Sequence, residues 1–180
     1  MLGPPASGKG TQGVRLAAAL GVPHVSTGEL LRRSIGEGDP HGLRSLIAVG
    51  ELVPDAVVEE LLLPALSDGF VLDGYPRTGA QADRLDQILR DRPVEAAVEI
   101  LLDEETLVAR MVLRADSQHR PDDTMQTFLH RLEEYRESAP AIREHYADRL
   151  ISIDGCGDED EIFERILAAL GVTQPVSGRR

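Results

Sequence analysis

A glycine-framed segment near the start of the chain contains the residue types that bind phosphate. It runs from Gly3 to Thr11 with the sequence GPPASGKGT, in which Gly3 and Gly8 enclose four residues and Lys9 follows. Glycines permit a tight turn with inward-pointing amides, and the N-terminus of the helix predicted over 8–20 adds a partial positive charge. Lys9 can reach the terminal phosphates of a nucleotide, and a nearby hydroxyl can approach Mg²⁺. An ordinary glycine-rich turn would not require Lys9 and Thr11 at these positions, so the segment predicts a phosphate-binding loop.

A carboxylate and an arginine follow a short apolar stretch in the middle of the chain. The stretch from Phe70 to Leu72 is typical of a buried strand, so Asp73 stands at a carboxyl end, where ligand sites of α/β proteins form. A carboxylate there can hold a water molecule on Mg²⁺. Asp73 could instead cap the next helix, but a cap does not require the sequence Gly-Tyr-Pro-Arg that follows it and ends at Arg77.

Three further arginines lie on predicted helices. Arg110 and Arg114 are four residues apart and therefore share a helix face, and Arg131 lies on the next helix. Each of them alone would most often be a solvated surface charge. Their role depends on whether the fold brings them together.

The composition restricts the kinds of partner. The net charge of the 180-residue chain is −12, which opposes broad binding to DNA, RNA or an anionic membrane. A small phosphate ligand needs only a local positive pocket. No apolar run reaches the ~20 residues of a membrane-spanning helix, and no secretory signal pattern is present. The single cysteine, Cys156, can form neither an internal disulfide nor a cysteine-only zinc site, which predicts a cytoplasmic protein.

Apolar stretches of strand length alternate with helical patterns. Four strands are predicted, around Val25 and at Phe70–Leu72, Ala97–Leu102 and Leu150–Ile153. Each is apolar on both sides, as in a buried parallel sheet, and the alternation predicts an α/β domain with helices on both sheet faces. An apolar stripe from Phe128 to Tyr146 predicts a long helix that Pro140 should interrupt and bend.

Two local patterns predict helix starts. Ser26 and Glu29 have the spacing of a capping box. Asp39 and Pro40 supply a cap and a first-turn proline, which predicts that another helix begins there.

The phosphate loop differs from the general pattern in one position. Ser or Thr usually follows the lysine directly, whereas here Gly10 separates Lys9 from Thr11. This variant resembles the nucleoside monophosphate kinases, and from Leu2 to about Val172 the chain is similar to short-lid members of the adenylate kinase family. The resemblance implies one P-loop kinase domain over residues 1–180. It would be an α/β three-layer sandwich with a parallel sheet, a helical AMP-binding insert at 26–55 and a short lid loop at 114–123.

The resemblance also implies ligands and residue roles. The substrates would be ATP and AMP, or two ADP in reverse, with Mg²⁺ accompanying ATP and no zinc. The ATP-binding residues would be Gly3, Ser7, Gly8, Lys9, Gly10, Thr11, Arg114 and Gly157, with the backbone near Gly155 passing the adenine. The AMP-binding residues would be Thr27, Arg32, Val53, Gly74, Arg77 and Gln81. Thr11 would bind Mg²⁺, and Asp73 would bind it through a water molecule.

The same resemblance implies a catalytic set made of cations. It comprises Lys9, Arg77, Arg110, Arg114, Arg120 and Arg131, with Asp122 and Asp123 of the lid positioning arginines in the closed state. Phosphoryl transfer needs positioning and charge stabilisation more than covalent chemistry. An AMP phosphate oxygen is already a nucleophile near neutral pH, so no general base is expected.

The chain departs from the family in two places. The segment between Arg114 and Arg120 is too short for the small β-domain of long-lid members, which predicts a loop lid. In the family a strand of about five residues, an ordinary strand length, precedes the phosphate loop, and here only Met1 and Leu2 stand before Gly3. We expect either that the sheet is completed in another way or that the functional start lies upstream.

Three other functions fit parts of this pattern. A kinase acting on UMP or CMP tends to have Ala in place of Thr27 and Asn in place of Thr78, and Gln81 also favours adenine. A nucleotide-binding protein without turnover would be supported only by the shortened strand. A GTPase or motor ATPase would be expected to show an Asn-Lys-x-Asp motif or a Glu directly after Asp73, and the sequence has neither. We therefore predict an adenylate kinase, acting as a monomer.

Overall fold

The computed structural model describes residues 1–118 and 124–172, and the side chains of 115–118 are outside the description. The strands are β1 (His24–Ser26), β2 (Val71–Asp73), β3 (Ala97–Leu101) and β4 (Leu150–Asp154). The helices are α1 (Lys9–Leu20), α2 (Thr27–Gly36), α3 (Leu43–Val49), α4 (Asp55–Leu62), α5 (Gly79–Leu89), α6 (Glu104–Gln118), α7 (Met125–His145) and α8 (Glu159–Leu170). A 3₁₀ turn at Leu63–Ala65 follows α4. None of the described helices is both long and apolar enough to cross a membrane.

The strands form a parallel sheet in two halves that meet at the first two residues. β1 pairs with β2, and β3 pairs with β4. The Leu2 amide donates to the Val98 carbonyl at 2.7 Å, and the Leu2 carbonyl accepts from the Ile100 amide at 3.1 Å. On the other side, the Met1 amino group donates to the Leu72 carbonyl at 2.6 Å. The spatial order is therefore β1, β2, the segment 1–2, β3 and β4.

Beside Met1, a cavity of 550 Å³ lies between β2 and β3. Its lining is mainly apolar and includes Leu2, Val71, Ala97 and Val98. The sequence raised the question of how the sheet is completed ahead of the phosphate loop. In the described part of the chain, only the two-residue segment bridges the halves.

Helices cover both faces of the sheet, so the predicted three-layer α/β fold is confirmed. Along β3, Val98 and Ile100 belong to the core that α1 and α8 complete. Ala97 packs in a separate cluster with Ile142 of α7 and with Tyr146. Alternate strand residues point to opposite faces, which is why neighbouring apolar residues serve two different cores.

The segment that contains α2, α3 and α4 packs over one end of the sheet through its own apolar cluster. This cluster includes Leu31, Leu43, Val53 and Leu62, together with Leu72 of β2. Leu62 and Leu43 are almost completely buried, so this cluster contributes to the stability of the segment.

The predicted helix start at Ser26 is confirmed, whereas its capping box and the predicted helix start at Pro40 are not. Ser26 is the N-cap residue of α2, but its side chain accepts no capping hydrogen bond. The next helix begins at Leu43 and not at Pro40, with Gly42 as its N-cap residue, although Asp39 still contacts its first turn. Its carboxylate accepts from the amides of Leu43 at 2.6 Å and Arg44 at 3.2 Å, which leaves Pro40 in the turn before the helix.

The long helix α7 continues through Pro140, contrary to the predicted interruption. A proline in a helix interior removes one amide donor and leaves a carbonyl of the preceding turn without its usual partner. Just before it, the Ser138 hydroxyl donates to the Glu134 carbonyl at 2.8 Å. Burial of Ala139 and Ile142 on either side of Pro140 holds this part of the helix against the sheet.

Candidate active site

The phosphate loop connects Leu2 in the sheet to the first turn of α1. Gly3 has φ 137°, and a Cβ there would lie 2.8 Å from the Ile100 carbonyl oxygen, so this position requires glycine. Gly8, the N-cap of α1, has φ 91°. Ala6 also has a positive φ of 65°. These left-handed residues and the helix N-terminus form a concave backbone suited to an anion.

Ser7 and Lys9 face into this loop. Ser7 is completely buried, and its hydroxyl has no hydrogen-bond partner among the residues that the structure describes. The Lys9 ammonium donates to the Pro4 carbonyl at 3.3 Å. Burial lowers the pKa of Lys9, the Asp73 carboxylate opposes this shift, and nearby arginines add to it. Lys9 is thus a cation held where water is scarce, which increases its interaction with a phosphate.

Asp73, at the end of β2, lies against the phosphate loop. Its side chain is buried, and one carboxylate oxygen has no hydrogen-bond partner among residues 1–118 and 124–172. A Cβ on Gly10 would lie 3.3 Å from the other oxygen, so the glycine between Lys9 and Thr11 permits close approach. An unsatisfied buried carboxylate oxygen is costly unless a ligand or water occupies it, and this chemistry fits a Mg²⁺-bound water.

Thr11, the other residue assigned to Mg²⁺, is exposed on the first turn of α1 and lines neither of the cavities described below. No group of three or more His, Cys, Asp and Glu side chains that could hold a metal occurs within the described ranges. Any divalent cation here would therefore depend on phosphate oxygens for most of its ligands.

Five of the predicted site cations line one cavity of 220 Å³. They are Lys9, Arg32, Arg77, Arg114 and Arg131. They come from four different elements and one loop, and Asp73 and Glu99 line the same cavity. Glu134 is a third acidic residue in the lining, so five cations face three carboxylates. In a chain of net charge −12, this local excess of cations would favour a polyanionic ligand.

A second cavity of 70 Å³ contains all six residues predicted to bind AMP. Its lining includes Thr27, Arg32, Val53, Gly74, Arg77 and Gln81. The two cavities adjoin, because Arg32, Arg77 and Arg131 line both. A ligand in the smaller cavity would therefore meet a ligand in the larger one at these arginines.

Gln81 is buried in the wall of the smaller cavity and uses both ends of its amide. Its oxygen accepts from the Arg77 backbone amide at 2.6 Å, and its nitrogen donates to Asp55 at 2.6 Å. Thr78 caps the same helix by accepting from the Gln81 backbone amide at 3.2 Å. A base edge would have to exchange partners with Asp55 or Arg77 to bind Gln81.

Arg110 and Gly157 lie together on another side of the phosphate loop. Arg110 donates to the carbonyls of Ser7 at 3.2 Å, Gly155 at 2.9 Å and Gly157 at 3.4 Å. This arginine therefore joins the phosphate loop to the loop that follows β4. Arg120, Asp122 and Asp123, the predicted lid residues, lie outside the described residues.

A buried ionic cluster next to the cavity was not foreseen. Glu99 of β3 is 2% exposed, accepts from the Tyr135 hydroxyl at 2.5 Å and from the Arg143 Nε at 3.0 and 2.9 Å. The available signal was a single charged residue inside the apolar run Ala97–Leu102. A charge at such a position requires a partner, although the sequence does not reveal which residue provides it.

Comparison with known proteins gives a consistent result. The family model for adenylate kinase matches residues 1–151. The chain is 44% identical to the adenylate kinase of Corynebacterium aurimucosum, over 95% of this chain and 97% of that protein. It is 42% identical to that of Mycobacterium tuberculosis, over 95% of this chain and 97% of that protein. It is also 42% identical to that of Thermus thermophilus, over 95% of each chain.

Proposed function

The chain belongs to the adenylate kinase family, and from this premise we propose that it transfers the terminal phosphoryl group of Mg·ATP reversibly to AMP, giving two ADP. One observation carries the proposal. The cavity with the six predicted AMP residues shares Arg32, Arg77 and Arg131 with the cavity that contains Lys9 and Asp73. Two phosphorylated ligands in adjoining cavities meet at shared arginines, as direct transfer between them requires.

On the donor side, we assign the ATP phosphates to the loop amides of Gly3, Ser7, Gly8 and Gly10 and to Lys9, Thr11 and Arg114. The concave backbone, the start of α1 and the buried Ser7 hydroxyl support this assignment. We place the ATP adenine at the loop from Gly155 to Gly157. Arg110 would then fix the distance between the base and the phosphates, since it bonds to both loops.

On the acceptor side, we assign the AMP phosphate to Arg32 and Arg77. The base would lie against Thr27, Val53 and Gln81, which line the smaller cavity. The predicted insert at 26–55 lines this site together with Gly74, where a Cβ would lie 2.6 Å from the Thr27 hydroxyl. A neutral wall for the base and a cationic end for the phosphate match the two parts of a nucleotide.

The transfer itself needs charge more than it needs a proton acceptor. An AMP phosphate oxygen attacks the terminal phosphorus of ATP, and the bond from that phosphorus to the bridging oxygen breaks, which leaves ADP on each side. Lys9, Arg77, Arg110, Arg114 and Arg131 would stabilise the negative charge on the moving group and exclude water from it. Mg²⁺, held by the phosphates, Thr11 and an Asp73-bound water, would supply further neutralisation.

We further propose that residues 114–123 form a short lid within a single domain over 1–180. Arg120 would reach the transferring phosphates, and Asp122 and Asp123 would orient arginines when the lid closes. We expect a cytoplasmic monomer without zinc. Light scattering of the purified protein should give the mass of one chain, and metal analysis should find no bound zinc.

The function is tested by incubating the chain with Mg·ATP and, separately, with AMP, UMP, CMP and GMP. We expect ADP with AMP only, and no ADP after EDTA is added. Diphosphate formation with UMP or CMP would move the assignment to the related pyrimidine nucleotide kinases. Tight nucleotide binding without any diphosphate would indicate a binding protein that has no turnover.

The role of the shared arginines is tested by Arg77→Ala. Loss of one such cation should lower kcat/KM for AMP by about 10²–10³-fold, as loss of a transition-state contact does. Arg84→Ala is a matched control, because Arg84 follows on the same segment but bonds to Glu59 outside both cavities. Near-normal rates for Arg77→Ala, with the fold intact, would remove Arg77 from the assignment.

A further inference from the structure

Glu99 is a charge placed in the interior of the sheet. Its neighbours on β3 are Ala97, Val98 and Ile100, all buried, and Glu99 is itself 2% exposed. A carboxylate removed from water destabilises the folded state unless its partners compensate. Such a residue fixes the position of whatever supplies its hydrogen bonds.

Both partners of Glu99 come from α7. The Tyr135 hydroxyl donates to one carboxylate oxygen at 2.5 Å, and the Arg143 Nε donates to both oxygens at 2.9 and 3.0 Å. Burial, together with the bond to Glu99, raises the pKa of Tyr135, so its hydroxyl remains a donor at neutral pH. Two contacts from one helix to a single carboxylate restrict both the rotation of α7 about its axis and its sliding along β3.

Arg131 lies one helical turn before Tyr135 on the same helix. Arg131, Tyr135 and Glu99 line the same cavity, together with Lys9. The Arg131 guanidinium also donates to the Ile47 carbonyl at 3.3 Å, in helix α3. The Glu99 contacts therefore tie α7 to the sheet at the level of the cavity.

We propose that Glu99 and Tyr135 are positioning residues for Arg131, with Arg143 as the second clamp on the Glu99 carboxylate. The inference rests on the proposed role of Arg131 in phosphoryl transfer. The buried carboxylate holds α7 in the rotation that directs Arg131 into the cavity. A misplacement of about 1 Å in such a group can lower a rate by as much as 10²-fold, so a small rotation of α7 is sufficient to matter.

The test is Tyr135→Phe, which removes one hydroxyl and keeps the ring. We expect kcat to fall by roughly 10- to 100-fold, while KM for ATP and for AMP changes by less than about twofold. Tyr146→Phe is the matched control. Tyr146 is also buried at the end of α7, and its hydroxyl has no partner in the described part of the chain. It should leave kcat unchanged.

A double-mutant cycle separates positioning from general packing. In an Arg131→Ala background, Tyr135→Phe should lower kcat by less than about twofold, because the group it positions is gone. Glu99→Gln is a second variant that keeps an acceptor for Tyr135 and removes the charge opposite Arg143. The decrease in kcat that Glu99→Gln causes should also disappear in the Arg131→Ala background. Equal losses in both backgrounds, or an equal loss for Tyr146→Phe, would overturn the proposal.

Failure of the proposed function would be distinguishable, since it would appear as absence of ADP with the unchanged chain. The positioning of Arg131 would then be tested by crystallography alone. Crystal structures of the unchanged and Tyr135→Phe proteins in one crystal form should show the Arg131 guanidinium displaced by about 1 Å or more. An unmoved guanidinium would overturn the proposal whatever the activity.

Discussion

Lys9 is the only lysine among the 19 lysine and arginine residues of the chain. The other 18 of these residues are arginines, including the four that share its cavity. A lysine is a compact point charge on a flexible stem, whereas arginine presents a wide planar fork. The narrow phosphate loop, closed by Pro4 and Ser7, suits the compact group.

Lys9→Met should lower kcat/KM by about 10²–10³-fold and, at the same time, raise the melting temperature of the unliganded protein. The pKa of Lys9 is lowered from 10.5 in the folded state. The unfolded chain therefore holds this proton more tightly. Folding is penalised fully below the lowered pKa, and the penalty disappears as the pH rises from that value to 10.5.

Calorimetry at several pH values checks this prediction. The gain in melting temperature should be largest near neutral pH and should vanish at strongly alkaline pH. Lys9→Arg, which keeps the charge, is the control and should give no gain. A lower melting temperature for Lys9→Met would mean that attraction to Asp73 outweighs the burial of the ammonium group.

At the scale of single residues, the sequence predicted those site residues that stand in a recognisable local motif. The phosphate-loop glycines and Asp73 are of this kind, because spacing and a preceding strand identify them. Glu99 carries no such pattern, since its partners Tyr135 and Arg143 lie 36 and 44 residues away in sequence. Likewise, the sequence around Gln81 does not reveal that its side-chain amide makes hydrogen bonds with Asp55 and with the Arg77 backbone.

At the scale of helices, the capping box forms at α8 and not at α2. Asp158 accepts from the amides of Asp160 and Glu161 at 2.9 Å, and the Glu161 side chain accepts from the Asp158 amide at 3.0 Å. Ser26, at the start of α2, lies at the end of β1 and lines the cavity that contains Lys9. Ser26 and Asp158 stand in similar local patterns, and the surrounding tertiary structure determines which of them forms the capping box. Helix boundaries were therefore harder to predict than the helices themselves.

Asp158→Ala should destabilise the protein by about 1 kcal/mol, because two amides at the start of α8 lose their acceptor. Ser26→Ala is the comparison, since Ser26 occupies an N-cap position without making the capping bond. Urea unfolding of both variants checks the difference. An equal or larger loss for Ser26→Ala would contradict the capping assignment.

At the scale of the whole molecule, an acidic protein concentrates cations in one place. The net charge is −12, and yet five cations line the cavity that contains Lys9. Phosphates far from the protein are repelled, whereas phosphates at the cavity are attracted by the nearer charges. Composition predicted the absence of broad anion binding, but only the fold brings together cations from distant parts of the sequence.

Raising the salt concentration from about 0.1 M to about 1 M should raise the dissociation constant of AMP several-fold, because the screening length falls from about 10 Å to about 3 Å. Binding of adenosine, which lacks the phosphate, is the control and should change little. Titration calorimetry of AMP and adenosine at both salt concentrations measures the effect. Equal salt dependence for the two ligands would show that the phosphate is not held by charge.

The fold class and the order of the strands could be predicted because apolar runs and helical stripes alternate along the chain. The way in which the two sheet halves meet could not. It depends on where Met1 and Leu2 lie relative to Leu72 and Ile100, and their positions follow from long-range hydrogen bonds and not from any local pattern.

The segment of Met1 and Leu2, which joins the two halves of the sheet, should affect the rates of amide hydrogen exchange. The Ile100 amide is bonded to Leu2, so it opens when two residues leave the sheet. The Ala97 amide, on the same strand, is bonded to Arg149, next to the β3–β4 ladder of five consecutive residue pairs. Opening of the smaller unit needs less free energy. In heavy water, deuterium should therefore enter at Ile100 well before it enters at Ala97, so that the protein exchanges from the middle of its sheet outward.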